Sequence, residues 1–247
     1  MAGRVNTSIS VAGGIVSIFI SIMSFAFLLP AVVAMWERRL IWPYEPIVEG
    51  ATGSEGVKRL LRSAFVNTIG DGLESHDFEF VETCQDAKGR AYQIKYEFWV
   101  SPDRTILALV GGGAIIGIPM QSIWLYSRLA DGHYLLTVSN QNGSEPDLTG
   151  ITKEVLVATT NLTEVLRRHQ NRLAKAKSKV LHYSSDPLQD HLEYRFRRFS
   201  SLVAKGHAKF LDDEETAYNY TIWGAVLFSL RGVTAGMRRK VWPDGDT

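Results

Sequence analysis

Tyr92-Gln-Ile-Lys-Tyr-Glu-Phe-Trp-Val100 is the stretch on which the fold turns. Tyr92, Ile94, Tyr96, Phe98 and Val100 alternate with Gln93, Lys95 and Glu97, and a period of two residues puts the first set on one face of a β-strand. The spacing predicts a half-buried strand, and so a sheet with one face packed on a core. Runs on either side read alike: Phe78 to Cys84, Thr105 to Val110, Ser122 to Leu129 and His133 to Ser139. Asp86-Ala-Lys-Gly89, Ser101-Pro-Asp-Arg104, a glycine-rich link and Ala130-Asp-Gly-His133 separate them, and Asp-Gly is a hairpin signal. Consecutive short turns predict an antiparallel meander of four or five strands, because parallel neighbours need long crossovers.

Outside the strands the period becomes helical. Ser54 offers an N-cap for a helix carrying Val57, Leu60, Leu61, Ala64, Phe65 and Ile69, which Gly70-Asp-Gly72 is expected to end. A polar loop from Asn140 to Ile151 leads to a second helix, started by Asn161 with Glu164 and ending near Lys179, with Leu162, Val165, Leu166, His169, Leu173 and Ala176 inward. Asp186-Pro187 opens a third, with Leu188, Leu192, Phe196, Phe199, Leu202 and Val203 inward. Asp212 to Glu215 is expected as the acidic first turn of a last helix reaching towards Trp242. The class is α+β, with helices packed on the sheet in one domain over residues 54–247. By element order alone this is similar to the helix-grip folds, a resemblance that implies an apolar pocket and a small-molecule or lipid-binding module.

Ahead of that domain, Val5 to Trp36 runs for 32 residues without a charge. About 20 apolar residues suffice to cross a hydrocarbon core, so residues 1–36 are expected to be a tail and a single transmembrane helix, and residues 37–53 a proline-containing juxtamembrane connector. The competing reading is a cleaved signal peptide, for which Ala31-Val-Val-Ala34 offers small residues. The uncharged run is about twice the usual signal core of roughly 7 to 15 residues, which favours an anchor. Arg4 precedes the run while Arg38 and Arg39 follow it, so the positive flank points to a cytoplasmic domain on the membrane. Asn-x-Ser/Thr triplets at Asn6, Asn142, Asn161 and Asn219 would be glycosylation acceptors on the opposite side. Ser10, Gly14, Ser17, Ser21 and Ser24 recur three or four residues apart, a small-residue seam along which another transmembrane helix or subunit could pack. Trp36, Trp42 and Tyr44 suit the headgroup level.

Net charge is +1, so no whole-molecule field recruits nucleic acid, and no nucleic-acid partner is expected. Charge is instead divided along the chain. Leu162 to Lys209 holds 11 Lys or Arg against 4 Asp or Glu, whereas Glu45 to Arg90 holds 9 acids against 5 bases. The densest cluster, Arg167, Arg168, Arg172, Lys175 and Lys179, reads as a basic helix face, either solvated or turned to anionic lipid or an acidic partner.

Chemical motifs are few. Gly111-Gly-Gly113-Ala-Ile-Ile-Gly117 follows an apolar run, as a dinucleotide-binding turn would, but Pro119 falls where the helix should begin and Ser139-Asn-Gln141 supplies no ribose-binding acid. A flexible or bulged link across the sheet edge is expected there. The single Cys84 forms no intrachain disulfide, and the 6 histidines include no His-x-x-x-His pair. His182 and His191 with Asp186 and Asp190 are the nearest approach to a ligand set. No cofactor, metal or catalytic residue is expected. The uncharged Tyr220 to Leu230 is expected to be a core helix, with interfacial contact and a second span as alternatives. Together these point to a membrane-anchored, non-catalytic interaction or assembly subunit.

Overall fold

A computed structural model describes residues 32, 35, 39–40, 42–46, 64–86, 92–115, 118–140 and 147–241. In chain order its elements are β1 (Arg39–Leu40), β2 (Tyr44–Pro46), α1 (Ala64–Ser75), β3 (Glu79–Asp86), β4 (Tyr92–Val100), β5 (Leu107–Ile115), β6 (Ile118–Leu129), β7 (Tyr134–Asn140), β8 (Thr152–Val157), α2 (Leu162–Ala174), β9 (Val180–Leu181), α3 (Pro187–Ala204), β10 (Ala208–Phe210), β11 (Ala217–Tyr220) and α4 (Ile222–Val241). The α+β class stands. The expected transmembrane helix, with Ser10, Gly14, Ser17, Ser21 and Ser24, lies outside the described residues except at Val32 and Met35, and the Ser54 cap lies outside them too. Among the described residues no helix is long and apolar enough to cross a membrane. That includes α4, so the second-span alternative falls.

β3 to β7 form the expected antiparallel meander, but the sheet is larger than four or five strands, with β2 added beside β3 and β8 beside β7. β9 pairs with Arg128 and Leu129 of β6, beyond Tyr126 where the partnership with β5 stops. β8 runs parallel to β7, with Tyr134 opposite Thr152 and Ser139 opposite Val157. The intervening polar segment is long enough to return the chain to the same end of the sheet.

Both faces of the sheet are covered, which corrects the half-buried reading of β4. On one face Tyr96, Phe98, Leu109, Tyr126 and Leu136 pack with Tyr183 and with Tyr194 of α3. On the other, Trp99, Val110, Ile123 and Leu125 meet Val66, Ile69 and Leu73 of α1 and Val165 and Leu166 of α2. Residues of β4 that alternate in sequence therefore serve two cores, and Glu97 is buried too. A third cluster joins Phe199 and Leu202 of α3 to Tyr218 and Tyr220 of β11 and Ala225 of α4. A small second sheet, in the order β1-β11-β10, carries that cluster.

Several boundaries differ from expectation for identifiable reasons. α1 continues through Gly70 and Gly72 to Ser75. The glycines act there as contact points, since a Cβ on Gly70 would stand 3.2 Å from Trp99 and one on Gly72 2.8 Å from Leu162. β5 runs through Gly111, Gly112 and Gly113, which face Tyr96, Lys95 and Ile94 in register, so the glycine-rich link is strand rather than loop. α2 ends at Ala174, short of Lys179. The acidic run from Asp212 begins no helix: Asp212 accepts from the Thr216 amide at 2.6 Å and its hydroxyl at 2.9 Å, closing the turn between β10 and β11. The helix starts ten residues later, at Ile222. On α3, Phe196 is exposed, while Asp190, His191 and Tyr194 are buried.

Candidate functional site

Four places hold groups capable of chemistry or recognition. The first is a buried polar chain between α2 and the sheet. His169 is fully buried, with Ser127 Oγ 2.9 Å from Nε2 and Thr137 Oγ1 2.8 Å from Nδ1. The surrounding bonds fix the direction of each proton. Ser127 spends its own hydrogen on the Thr105 carbonyl at 2.7 Å, so its oxygen accepts from His169 Nε2–H. Arg172 Nη1 donates to Thr137 Oγ1 at 2.9 Å and to the Leu136 carbonyl at 2.6 Å, leaving the Thr137 hydroxyl to donate to Nδ1. A nucleophilic serine needs an imidazole nitrogen that accepts its proton. Here the imidazole donates to the serine, so the pair is a structural bond. Burial, reinforced by Arg172, pushes the His169 pKa down to about 3, which keeps the ring neutral.

The same network engages one residue of the predicted basic face. Arg172 turns inward, and burial lowers its own pKa to about 10. Arg167 and Arg168 both pair with Glu164, at 2.7 Å and 2.6 Å. Lys175 and Lys179 are exposed but lie beyond the end of α2. Of the five bases, Arg172 is drawn inward while Arg167, Lys175 and Lys179 remain exposed.

On the opposite face His191 is buried among rings, 4.7 Å from Tyr126, 5.6 Å from Tyr194 and 6.0 Å from both Trp42 and Phe98. Its Nε2 has no hydrogen-bond partner, and burial holds its pKa well below the ordinary histidine value. A neutral imidazole is in effect one more aromatic ring of that core. Asp190 beside it is taken by Arg128 at 2.6 Å and by the Ser184 amide at 2.6 Å. His182 Nδ1 meets the Asp103 carbonyl at 2.7 Å, and Asp186 caps α3 through the Gln189 amide at 3.0 Å. The four residues of the nearest ligand set thus go to separate structural tasks. Among the described residues no group of three or more His, Cys, Asp or Glu side chains could hold a metal ion. Phe98, Tyr126, Tyr183 and Tyr194 belong to the core cluster that fills this side.

Asp147 forms the third place. It accepts from the amides of Thr149 and Thr152, each at 2.9 Å, and pairs with Arg198 of α3 at 3.6 Å. Burial would raise its pKa, but Arg198 and the hydrogen bonds from Thr149 and Thr152 outweigh it and hold the carboxyl below the usual range. Arg231 of α4 donates to the Asp147 carbonyl and Lys205 to that of Thr149, so this loop ties α3 and α4 together.

The fourth place is the junction where the uncharged stretch meets the domain, and sequence reasoning treated it as a connector. Met35 packs against the third cluster. Arg39 and Leu40 are paired with Tyr218 and Ala217 of β11. The Arg39 guanidinium lies 5.2 Å from the ring centroids of both Tyr220 and Phe228, while Trp42 and Tyr44 stack edge to face at 5.0 Å above the first core. Beside this junction α4 presents an apolar outer face. Ile222 is 70 % exposed, Trp223 60 % and Leu230 46 %, and Val32 is half exposed. Full burial of an aliphatic side chain of this size is worth about 1.5–3 kcal/mol, so each of these forgoes a substantial part of that. The signal was legible in the charge-free run Tyr220 to Leu230, which is longer than one buried stripe of a surface helix requires.

Comparison with protein families, with characterised proteins and with solved structures found no match to this chain.

Proposed function

We propose that the chain is a membrane-anchored, non-catalytic interaction or assembly subunit, held by the uncharged Val5 to Trp36 stretch, with its domain on the cytoplasmic side. The observation that carries this reading is the way the stretch is joined to the domain. Between Met35 and Tyr44 the chain enters the third cluster, pairs with β11 and then joins the first core. A flexible leash would let the domain move independently of its anchor. A junction built into two sheets instead holds the end of the stretch, at Met35, against the domain, as a subunit needs when it is recognised through both. The structural tasks of His169, His191, Asp190 and Asp147 support a non-catalytic role.

The partner surface within the membrane is the seam of Ser10, Gly14, Ser17, Ser21 and Ser24, where small side chains permit close helix contact. Purification of the full chain in mild detergent tests this. The expected result is a complex, with a second membrane protein or a second copy, that Gly14→Leu with Ser21→Leu disrupts. A monomer in mild detergent, or a complex that survives both substitutions, overturns it.

A further inference from the structure

The outer face of α4 is apolar where a surface helix ordinarily turns charged groups to water. Its inner face is fixed: Gly224 and Ala225 are buried, and Ala225 and Phe228 pack in the third cluster. Ile222, Trp223 and Leu230 are therefore left outward, and Trp223 and Leu230 lie seven residues apart on one stripe.

What covers this stripe follows from where the uncharged stretch arrives. Met35 belongs to the same cluster as Phe228, and Arg39 stacks on Phe228, so the anchor enters beside α4. Exposed Val32 lies one helical turn before Met35, and in sequence α4 continues from the apolar stripe into Arg238, Arg239 and Lys240. Apolar residues with tryptophan, followed by a run of bases, match the acyl-to-headgroup boundary of an anionic leaflet.

We infer that the outer face of α4 is a lipid-contacting surface, which lays Ile222, Trp223 and Leu230 into the bilayer interface beside the anchor. This rests on the membrane-anchored reading above and adds a second point of membrane contact. Two contacts, the anchor and α4, fix the tilt of the domain on the membrane.

The test uses the full chain in vesicles of phosphatidylcholine and phosphatidylglycerol that carry a lipid spin-labelled near the top of its acyl chain. Buried Cys84, whose thiol burial and Glu82 push up to about 12, stays protonated and unreactive, so an introduced cysteine takes an environment-sensitive fluorophore selectively. The fluorophore is placed at Ile222→Cys, at Leu230→Cys as an independent second position, and at exposed Glu74→Cys of α1 as the reference. The expected result is blue-shifted emission at 222 and 230, with lipid-borne quenching severalfold stronger than at 74. Quenching equal to that at 74 overturns the proposal. A blue shift without lipid quenching also overturns it, because protein, either another part of this chain or a second copy, then covers the face. A chain that does not float with the vesicles overturns the anchored reading as well. Lipid quenching that persists when Gly14→Leu and Ser21→Leu leave association unchanged sinks the assembly reading alone.

Discussion

Gly224 lies against the backbone of His207, so closely that a Cβ on it would stand 1.8 Å from the His207 carbonyl oxygen. The same oxygen accepts from the Thr221 amide at 3.0 Å, and Thr221 Oγ1 both donates to the Gly206 carbonyl at 2.7 Å and accepts from the Gly224 amide at 3.2 Å. The start of α4 is thus seated directly on the turn between α3 and β10.

Two effects oppose each other in Gly224→Ala. Helix propensity favours alanine by about 1 kcal/mol. The clash is with main chain, which cannot swing aside as a flexible side chain can, and overpacking of this kind costs about 1–3 kcal/mol or more. The expected outcome is net destabilisation, read as a lower Tm, together with faster proteolysis around Ile222. A Tm equal to or above that of the parent would show that α4 does not sit this tightly.

Gly111 makes the analogous contact in the sheet. A Cβ there would lie 2.8 Å from the Trp124 ring and 3.0 Å from that of Tyr96. In an open strand alanine gains about 0.5–1 kcal/mol over glycine. Here the rings must move, so Gly111→Ala is expected to destabilise by about 1–3 kcal/mol in urea unfolding. Trp124→Phe in the same chain should recover part of the loss, and a double-mutant cycle measures how much. Strict additivity would place the cost elsewhere than in this contact.

The same glycine shows how far the sequence could be read. β4 was legible to its end residues because Tyr92, Ile94, Tyr96, Phe98 and Val100 alternate with Gln93, Lys95 and Glu97, and Trp99, apolar on the opposite face, is the one break in that pattern. The caps of α2 and α3 were legible because Asn161 and Asp186 carry local chemistry: each side chain accepts from the amide three residues on. Gly111 to Gly113 were misread because glycine marks a loop and a crowded strand alike, and only the long-range neighbours Tyr96 and Trp124 distinguish them. β8, β10 and β11 were missed for a related reason: each is short, and its pairing partner is distant in sequence or hidden behind a turn. Helical spacing likewise says which bases are adjacent but not that Thr137 and Leu136 draw Arg172 inward.

Acid should weaken the fold through His169. Its pKa is about 3 in the folded chain, against about 6.5 when unfolded, so between those values the unfolded state binds the extra proton. Stability therefore rises with pH across this window. It is fully present above about pH 6.5 and lost progressively as the pH falls towards 3, by roughly 4 to 5 kcal/mol in all at about 1.4 kcal/mol per pH unit. His191, also held neutral by burial, acts in the same direction. Urea unfolding followed from pH 7 to pH 4 should show the decline. His169→Gln, which keeps a donor and an acceptor but cannot titrate, should flatten it whatever its effect at pH 7. A slope unchanged in that variant would assign the acid sensitivity to other groups.

Asp147 should matter more than any single surface charge, because it is buried and holds the loop before β8 by several bonds at once. Removing one member of a buried pair leaves the other charge desolvated, and costs about 3–5 kcal/mol, against about 0–1 kcal/mol for an exposed pair. Asp147→Ala removes the carboxylate beside Arg198, whose side chain is 12 % exposed, and releases the amides of Thr149 and Thr152. Glu164→Ala breaks two ion pairs on α2, but Arg167 and Arg168 remain close to solvent there. The expected order in thermal unfolding is a large loss for Asp147→Ala and a small one for Glu164→Ala. Hydrogen exchange should localise the first to β8 and its junction with α3, since Thr152 also bonds Tyr194 at 2.8 Å. Equal losses would mean that the number of ion pairs, rather than their burial, sets the stability of this domain.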